Sequence, residues 1–207
     1  RRLSGIIRWC SWGQIVILWH GNFPIDIDSI SGPINTIKSN PECWDDTLKQ
    51  WSSFHIWNRP ESILNDFYMQ VADRVSRDLT LYERVQFEQA YWMQIYPPNS
   101  KGHPRHDHYS GNEMYSWVHF IKPVKKSFHF LVGGTKVYPE QQNAGDIIVF
   151  PSWALHAVDD NDTDSERVVI AGNVGMKTLH TEYVDGKSKF CACHKINKNI
   201  LVWEIID

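Results

Sequence analysis

Gly145-Asp-Ile-Ile-Val-Phe-Pro-Ser-Trp-Ala-Leu-His156 opens on a glycine and an acidic residue, runs through five apolar positions from Ile147 to Pro151, and ends on a histidine. A short apolar run bounded by turn formers predicts a buried strand over 145–150. The histidine follows just past the strand's end, where loops carried on a rigid sheet place reactive side chains.

Outward from this stretch the same grammar repeats. Segments 87–96, 114–121, 127–131, 135–138 and 166–172 are strand-like and are separated by clusters of Pro, Gly, Asn and Asp. Short strands at this spacing suggest a sandwich or barrel. Upstream the period changes. Ile63, Phe67, Val71 and Val75 recur every fourth residue beside Leu64 and Leu79, which predicts an amphipathic helix over 58–80. Asn58 and Glu61 have the spacing of a capping box at its start. One or two strands are expected within 5–20, a turn-rich segment over 21–33, and an edge strand over 200–206. No internal repeat interrupts the chain.

Composition sets the outer bounds. A chain of 207 residues supports one well-filled core, so 1–207 is expected to be a single domain. Hydrophobic residues at 42% and charged residues at 22% fit an ordinary globular protein. A net charge of -3 gives no bulk attraction for phosphates, so nucleic acid is not an expected partner. The apolar stretch 15–19 is far shorter than the roughly 20 residues of a membrane span, and no membrane association is expected. The cysteines at 10, 43, 191 and 193 are too few and too scattered for a disulfide framework. A reducing, cytoplasmic setting is expected, and Cys191-Ala-Cys193-His194 is read as a structural turn.

The chemistry concentrates in His103-Pro-Arg-His106-Asp-His108. In an extended chain, alternation sends His106 and His108 to one side and Asp107 to the other. With His156 as a distant third donor, the set is facial: three protein ligands leave positions open for a bidentate cosubstrate and dioxygen, as in non-haem iron sites. A closed structural zinc site would want a fourth ligand. Asp107 could replace His108 if the loop bulges, and His103 is a further candidate. Three neutral imidazoles also suit zinc or copper. Trp92, Tyr96, Tyr109, Tyr115 and Trp153 are candidates for a substrate wall or for core.

Trp92-Met-Gln94, Pro-Arg-His106-Asp-His108, the run from Trp117 to Pro123, the glycine-led strand ending in Phe-Pro-Ser-Trp and His156, then Glu166-Arg167 and Gly172-Asn173 occur in a specific order. Together, over 88–174, they resemble the phage-type and bacterial 2-oxoglutarate/Fe(II)-dependent dioxygenases related to prolyl 4-hydroxylases. The resemblance implies a mainly β fold with flanking helices, a double-stranded β-helix of the jelly-roll, cupin-like kind. It implies Fe(II), 2-oxoglutarate and O2 as cofactor and cosubstrates, and C–H hydroxylation coupled to decarboxylation of 2-oxoglutarate to succinate. It also allows a phage-encoded protein in a host cytoplasm.

Within that resemblance, Arg167 matches the cation that meets the far carboxylate of 2-oxoglutarate, a role suited to its planar, permanently charged fork. His119 falls where relatives often place a cosubstrate-binding tyrosine, and Gln94 where they often have Asn. Two positions depart from the pattern: His108 stands where a carboxylate is usual, and Val169 where Ser often follows the arginine. Two other readings compete, a cupin-like zinc or copper protein and an oxygenase-fold scaffold without turnover. The prime substrate, whether peptide, amino acid or nucleotide, depends on loops 99–113 and 157–166.

Overall fold

The structure is a computed structural model and describes residues 17–79, 87–109, 113–176, 181–184, 187–190 and 200–203. In chain order it contains β1 (Trp19–Asn22), α1 (Ser31–Ser39), β2 (Trp44–Asp45), β3 (Gln50–Ser52), α2 (Asn65–Leu79), β4 (Phe87–Tyr96), β5 (His103–His106), β6 (Glu113–Lys122) and β7 (Phe128–Val132). There follow β8 (Thr135–Val137), β9 (Asp146–Pro151), β10 (His156–Val158), β11 (Arg167–Met176), β12 (Thr181–Val184), β13 (Lys187–Phe190) and β14 (Ile200–Trp203). The major sheet has the order β1-β9-β6-β11-β4-β3-β2, with β14 also on β4; the minor sheet has the order β5-β10-β7-β8. Pairing is antiparallel throughout both. This is the jelly-roll architecture expected from the sequence.

Both faces of the major sheet are apolar, which is why its strands read as near-continuous hydrophobic runs. Tyr91, Met93 and Ile95 of β4, Trp117 and Ile121 of β6, Ile147 and Val149 of β9, and Val168 and Ile170 of β11 share one core with Tyr68 and Val71 of α2 and Ile34 and Ile37 of α1. The intervening residues, Val118 and Phe120, Ile148 and Phe150, and Val169, form a second core with Phe128 and Phe130 of the minor sheet. Strand alternation therefore decides, residue by residue, whether a side chain meets the helices or the space between the sheets.

The helix expected over 58–80 is present, but it enters through a 3-10 turn, Pro60–Leu64. The tighter turn rotates the buried stripe: Leu64, Tyr68, Val71 and Ala72 are buried, whereas Ile63 is 62% exposed. The Asn58–Glu61 capping box does not form. The N-cap position falls at Arg59 without a side-chain cap, and Glu61 turns into the core, where its carboxylate accepts from Ser53 Oγ and from the Met93 backbone N–H. Burial raises its pKa above the ordinary carboxylate value.

Within 21–33 the chain forms β1's last residues and the start of α1 instead of turns alone. Pro33 and Gly32 lie in the helix's first turn, where a missing N–H costs nothing. Of the strands expected in 5–20, residues 1–16 lie outside the described residues, as does Cys191-Ala-Cys193-His194. The C-terminal strand is seen as β14, paired with β4. Among the described residues no helix is long and apolar enough to cross a membrane.

Candidate functional site

His106 and His156 face each other across the minor sheet as direct antiparallel partners on β5 and β10. The close approach of these strands requires Gly102: a Cβ there would lie 1.9 Å from the Val158 carbonyl oxygen. Beyond β5 the chain stays extended, held by a hydrogen bond from His108 N to Ser152 O of 2.8 Å, so His108 emerges on the same side as His106. One ligand-capable atom from each of His106, His108 and His156 lies within 4.8 Å of the others. Asp107 points away and is exposed, its carboxylate accepting from Tyr109 N. His103 stacks edge-on to His106 at 4.6 Å between ring centroids without joining the cluster of three.

The protonation chemistry favours donor nitrogens. Burial, reinforced by the neighbouring imidazoles, lowers the pKa of His108 to about 4 and of His156 to about 3, and burial lowers that of His106 as well. All three rings are neutral near pH 7. His106 Nδ1 lies 2.8 Å from Pro104 O, and His156 Nδ1 lies 2.7 Å from Ala154 O. A carbonyl only accepts, so in both rings Nδ1 carries the hydrogen and Nε2 keeps its lone pair for a metal. His108 Nδ1 lies 3.2 Å from the Asn173 side-chain amide, which in turn contacts Ser116 Oγ at 2.9 Å.

These histidines line a cavity of about 570 Å³ between the sheets. Arg167, the first residue of β11, lines the same cavity and is 1% exposed. Its Cζ sits 4.0 Å from the centre of the Tyr96 ring, and its Nη2 donates to the Asp159 carbonyl at 3.2 Å. Nε and Nη1 are buried with no hydrogen-bond partner. Desolvation lowers the guanidinium's pKa from its ordinary value. The loop before it is pinned by Asn161, whose side-chain N–H groups donate to Tyr96 O, Pro97 O and Ser165 O.

Gln94 is buried and lines the cavity, accepting from Trp92 Nε1 at 3.4 Å. Of the five candidate wall aromatics, Trp92 and Tyr96 line this cavity; Tyr109 and Trp153 are largely exposed, and Tyr115 packs in the helix-side core.

His119 is not part of this site. Alternation along β6 sends Ser116, Val118 and Phe120 to the cavity and His119 to the opposite face. There Tyr68 OH lies 2.9 Å from Nδ1, and the Phe23 carbonyl lies 2.9 Å from Nε2. Two residues escaped the sequence reading: Asn173, which contacts His108 and was visible as part of a motif but without a role, and Gln50 on β3, which lines the cavity and for which no motif gave a signal.

Residues 90–173 match the model of a family described as "Putative 2OG-Fe(II) oxygenase". Over these residues the chain resembles that family. No curated protein matches the chain in sequence. Among solved structures, the chain is similar to a Pseudomonas putida prolyl-4-hydroxylase at 15% identity and a TM-score of 0.54, covering 76% of this chain and 91% of that one. It is also similar to the viral collagen prolyl hydroxylase of Paramecium Bursaria Chlorella virus-1, at 12% identity and a TM-score of 0.53, covering 77% and 96%. A third similar structure is the carbocyclase SnoK from nogalamycin biosynthesis, at 13% identity and a TM-score of 0.54, covering 77% and 80%. At these identities the likeness is one of fold.

Proposed function

We propose that His106, His108 and His156 hold iron(II), that Arg167 and Gln94 bind 2-oxoglutarate, and that the protein hydroxylates a C–H bond of a prime substrate. The observation that carries this reading is the pair of unpartnered donors on Arg167, buried in the cavity that the three histidines enter. Leaving a buried donor without an acceptor costs about 1–3 kcal/mol, more for a charged group. A carboxylate that accepts from these open N–H groups removes that cost through charge-assisted bonds.

When bound, the iron and 2-oxoglutarate supply the oxidation: dioxygen is consumed, the oxo acid is decarboxylated to succinate, and one oxygen atom goes to the substrate. The residues of this chain set the conditions. The carbonyls of Pro104 and Ala154 lock two imidazoles in the Nδ1–H tautomer, so that Nε2 faces the metal. At His108, Asn173 Nδ2 faces Nδ1 and Asn173 Oδ1 accepts from Ser116 Oγ; for His108 to present Nε2 as the others do, the amide's oxygen and nitrogen exchange places, an exchange that the same contacts permit. Tyr96 covers the guanidinium's face and keeps water from it. Gln94, on the wall beside Trp92, offers its amide to the cosubstrate's other end.

An all-imidazole set would also hold zinc, but a zinc site has no use for a buried guanidinium with two empty donors. Incubating the protein in air with iron(II) and 2-oxoglutarate separates the readings. Release of succinate that is lost in Arg167→Ala is the expected result. No succinate with iron bound, or equal release by the variant, would overturn the proposal.

A further inference from the structure

If Arg167 is occupied by the cosubstrate's carboxylate, the remaining charged lining of the cavity among the described residues is anionic: Glu42, Asp45 and Asp46 line it and no second Lys or Arg does. All three come from the segment around the β2–β3 hairpin, which closes the open edge of the major sheet. Asp46 pairs with Lys49 at the surface, where its side chain is 85% exposed, so that pair screens little. Asp45 Oδ1 accepts from Thr47 N and Leu48 N at 2.8 and 2.9 Å, which fixes the carboxylate rigidly at the cavity's rim.

A second observation is independent of charge. Gln50, the register partner of Asp45 across the hairpin, lines the cavity, is 1% exposed, and its Oε1 is buried with no donor. A buried amide oxygen without a donor costs about 1–3 kcal/mol. A fold keeps such an atom when a ligand supplies the missing N–H. Trp44 adjoins both residues, lines the cavity and is 36% exposed, its ring 4.7 Å from Trp51. A partly open indole beside carboxylates is a surface that attracts cations.

We propose that this arm of the cavity binds a cationic nitrogen group of the prime substrate, an amine or guanidinium, with Asp45 supplying charge and Gln50 Oε1 accepting an N–H. This rests on the oxygenase reading for the purpose of the cavity, but not for the chemistry of the arm. It narrows the substrate to molecules that carry a positive charge, whether a free amine or a basic side chain within a peptide.

The test titrates protein loaded with iron(II) and 2-oxoglutarate, without oxygen, with Nα-acetyl arginine amide, with its neutral isostere Nα-acetyl citrulline amide, and with a blocked Gly-Arg-Gly peptide. Binding is read by isothermal titration calorimetry in the protein and in each variant. At least one arginine probe is expected to bind ten-fold or more tightly than citrulline amide, and preference between the free amide and the peptide reports the source of the cation. Asp45→Asn keeps the turn-capping oxygen, and Gln50→Leu removes an unsatisfied acceptor, so both should fold; each is expected to weaken the arginine probe at least five-fold. Equal binding of arginine and citrulline amides, no binding by any cationic probe, or binding indifferent to both substitutions would overturn the proposal. The titration is repeated without 2-oxoglutarate, so that failure of the arm is distinguished from failure of the cosubstrate site.

Discussion

His119 and His156 are both buried histidines on strands, and burial lowers both pKa values, to about 4 and about 3. Their surroundings differ in one respect. On the helix face of the major sheet, both nitrogens of His119 are satisfied, one against Tyr68 OH and one against the Phe23 carbonyl. In the cavity, His156 spends only Nδ1, on Ala154 O, and turns its remaining nitrogen toward those of His106 and His108. In the cavity, Arg167 Nε, Arg167 Nη1 and Gln50 Oε1 are also buried without partners. The helix face has open atoms too, Glu61 Oε2 and Gln89 Nε2, so what sets the cavity apart is that its open groups line the same space as three imidazoles within 4.8 Å of one another.

That contrast is sharpest at the metal. His156→Ala should reduce iron(II) affinity by well over the roughly 10–100-fold that outer partners command, measured by competition with a chelator, while leaving thermal stability without metal nearly unchanged. A variant that unfolds would place His156 with His119 as a structural group. Arg167→Ala comes next. Removing one partner of a buried charge pair costs about 2–5 kcal/mol, so 2-oxoglutarate affinity should fall at least about 30-fold, read by isothermal titration, with iron affinity retained.

His119→Ala should do the reverse. Leaving Tyr68 OH and the Phe23 carbonyl unpaired should lower unfolding free energy by about 2–4 kcal/mol with metal affinity intact. The pH dependence follows with a definite sign. A histidine whose folded pKa lies below its unfolded value of about 6.5 binds its proton more weakly when folded. Its contribution is complete above that value and is lost as pH falls through about 4. The stability gap between the protein and His119→Gln should therefore narrow by up to about 3 kcal/mol over that window, followed by denaturant melts. The smallest effect is expected at Asn173: Asn173→Ala should weaken iron binding about ten-fold and leave 2-oxoglutarate binding to the loaded protein unchanged.

The strands of both cores were legible because their apolar runs are bounded by turn formers, and β4 agrees with the sequence expectation to the residue. The reverse side of that clarity is lost parity. Along β6, Trp117, Val118, Phe120 and Ile121 are all buried, so no polar alternation tells which face His119 takes. Counting positions along the strand therefore put it in the wrong layer. α1 was obscured because Gly32 and Pro33 punctuate its first turn, and the two-residue β2 is too short to carry a period. The shift of α2's buried stripe from Ile63 to Leu64 comes from the 3-10 turn, which a periodicity of 3.6 does not anticipate. The clustering of His106 and His108 was readable because alternation in an extended chain is local. The nearness of His156, Arg167 and Gln50 depends on sheet order, and only the order of motifs hinted at it.

The most direct test of the oxygenase reading is an anaerobic titration of the iron(II)-loaded protein with 2-oxoglutarate, followed by visible absorption. A charge-transfer band that saturates at one equivalent, vanishes in His156→Ala and needs far more cosubstrate in Arg167→Ala is the expected result. Iron bound with no band at any concentration, or a titration that Arg167→Ala leaves unchanged, would contradict it.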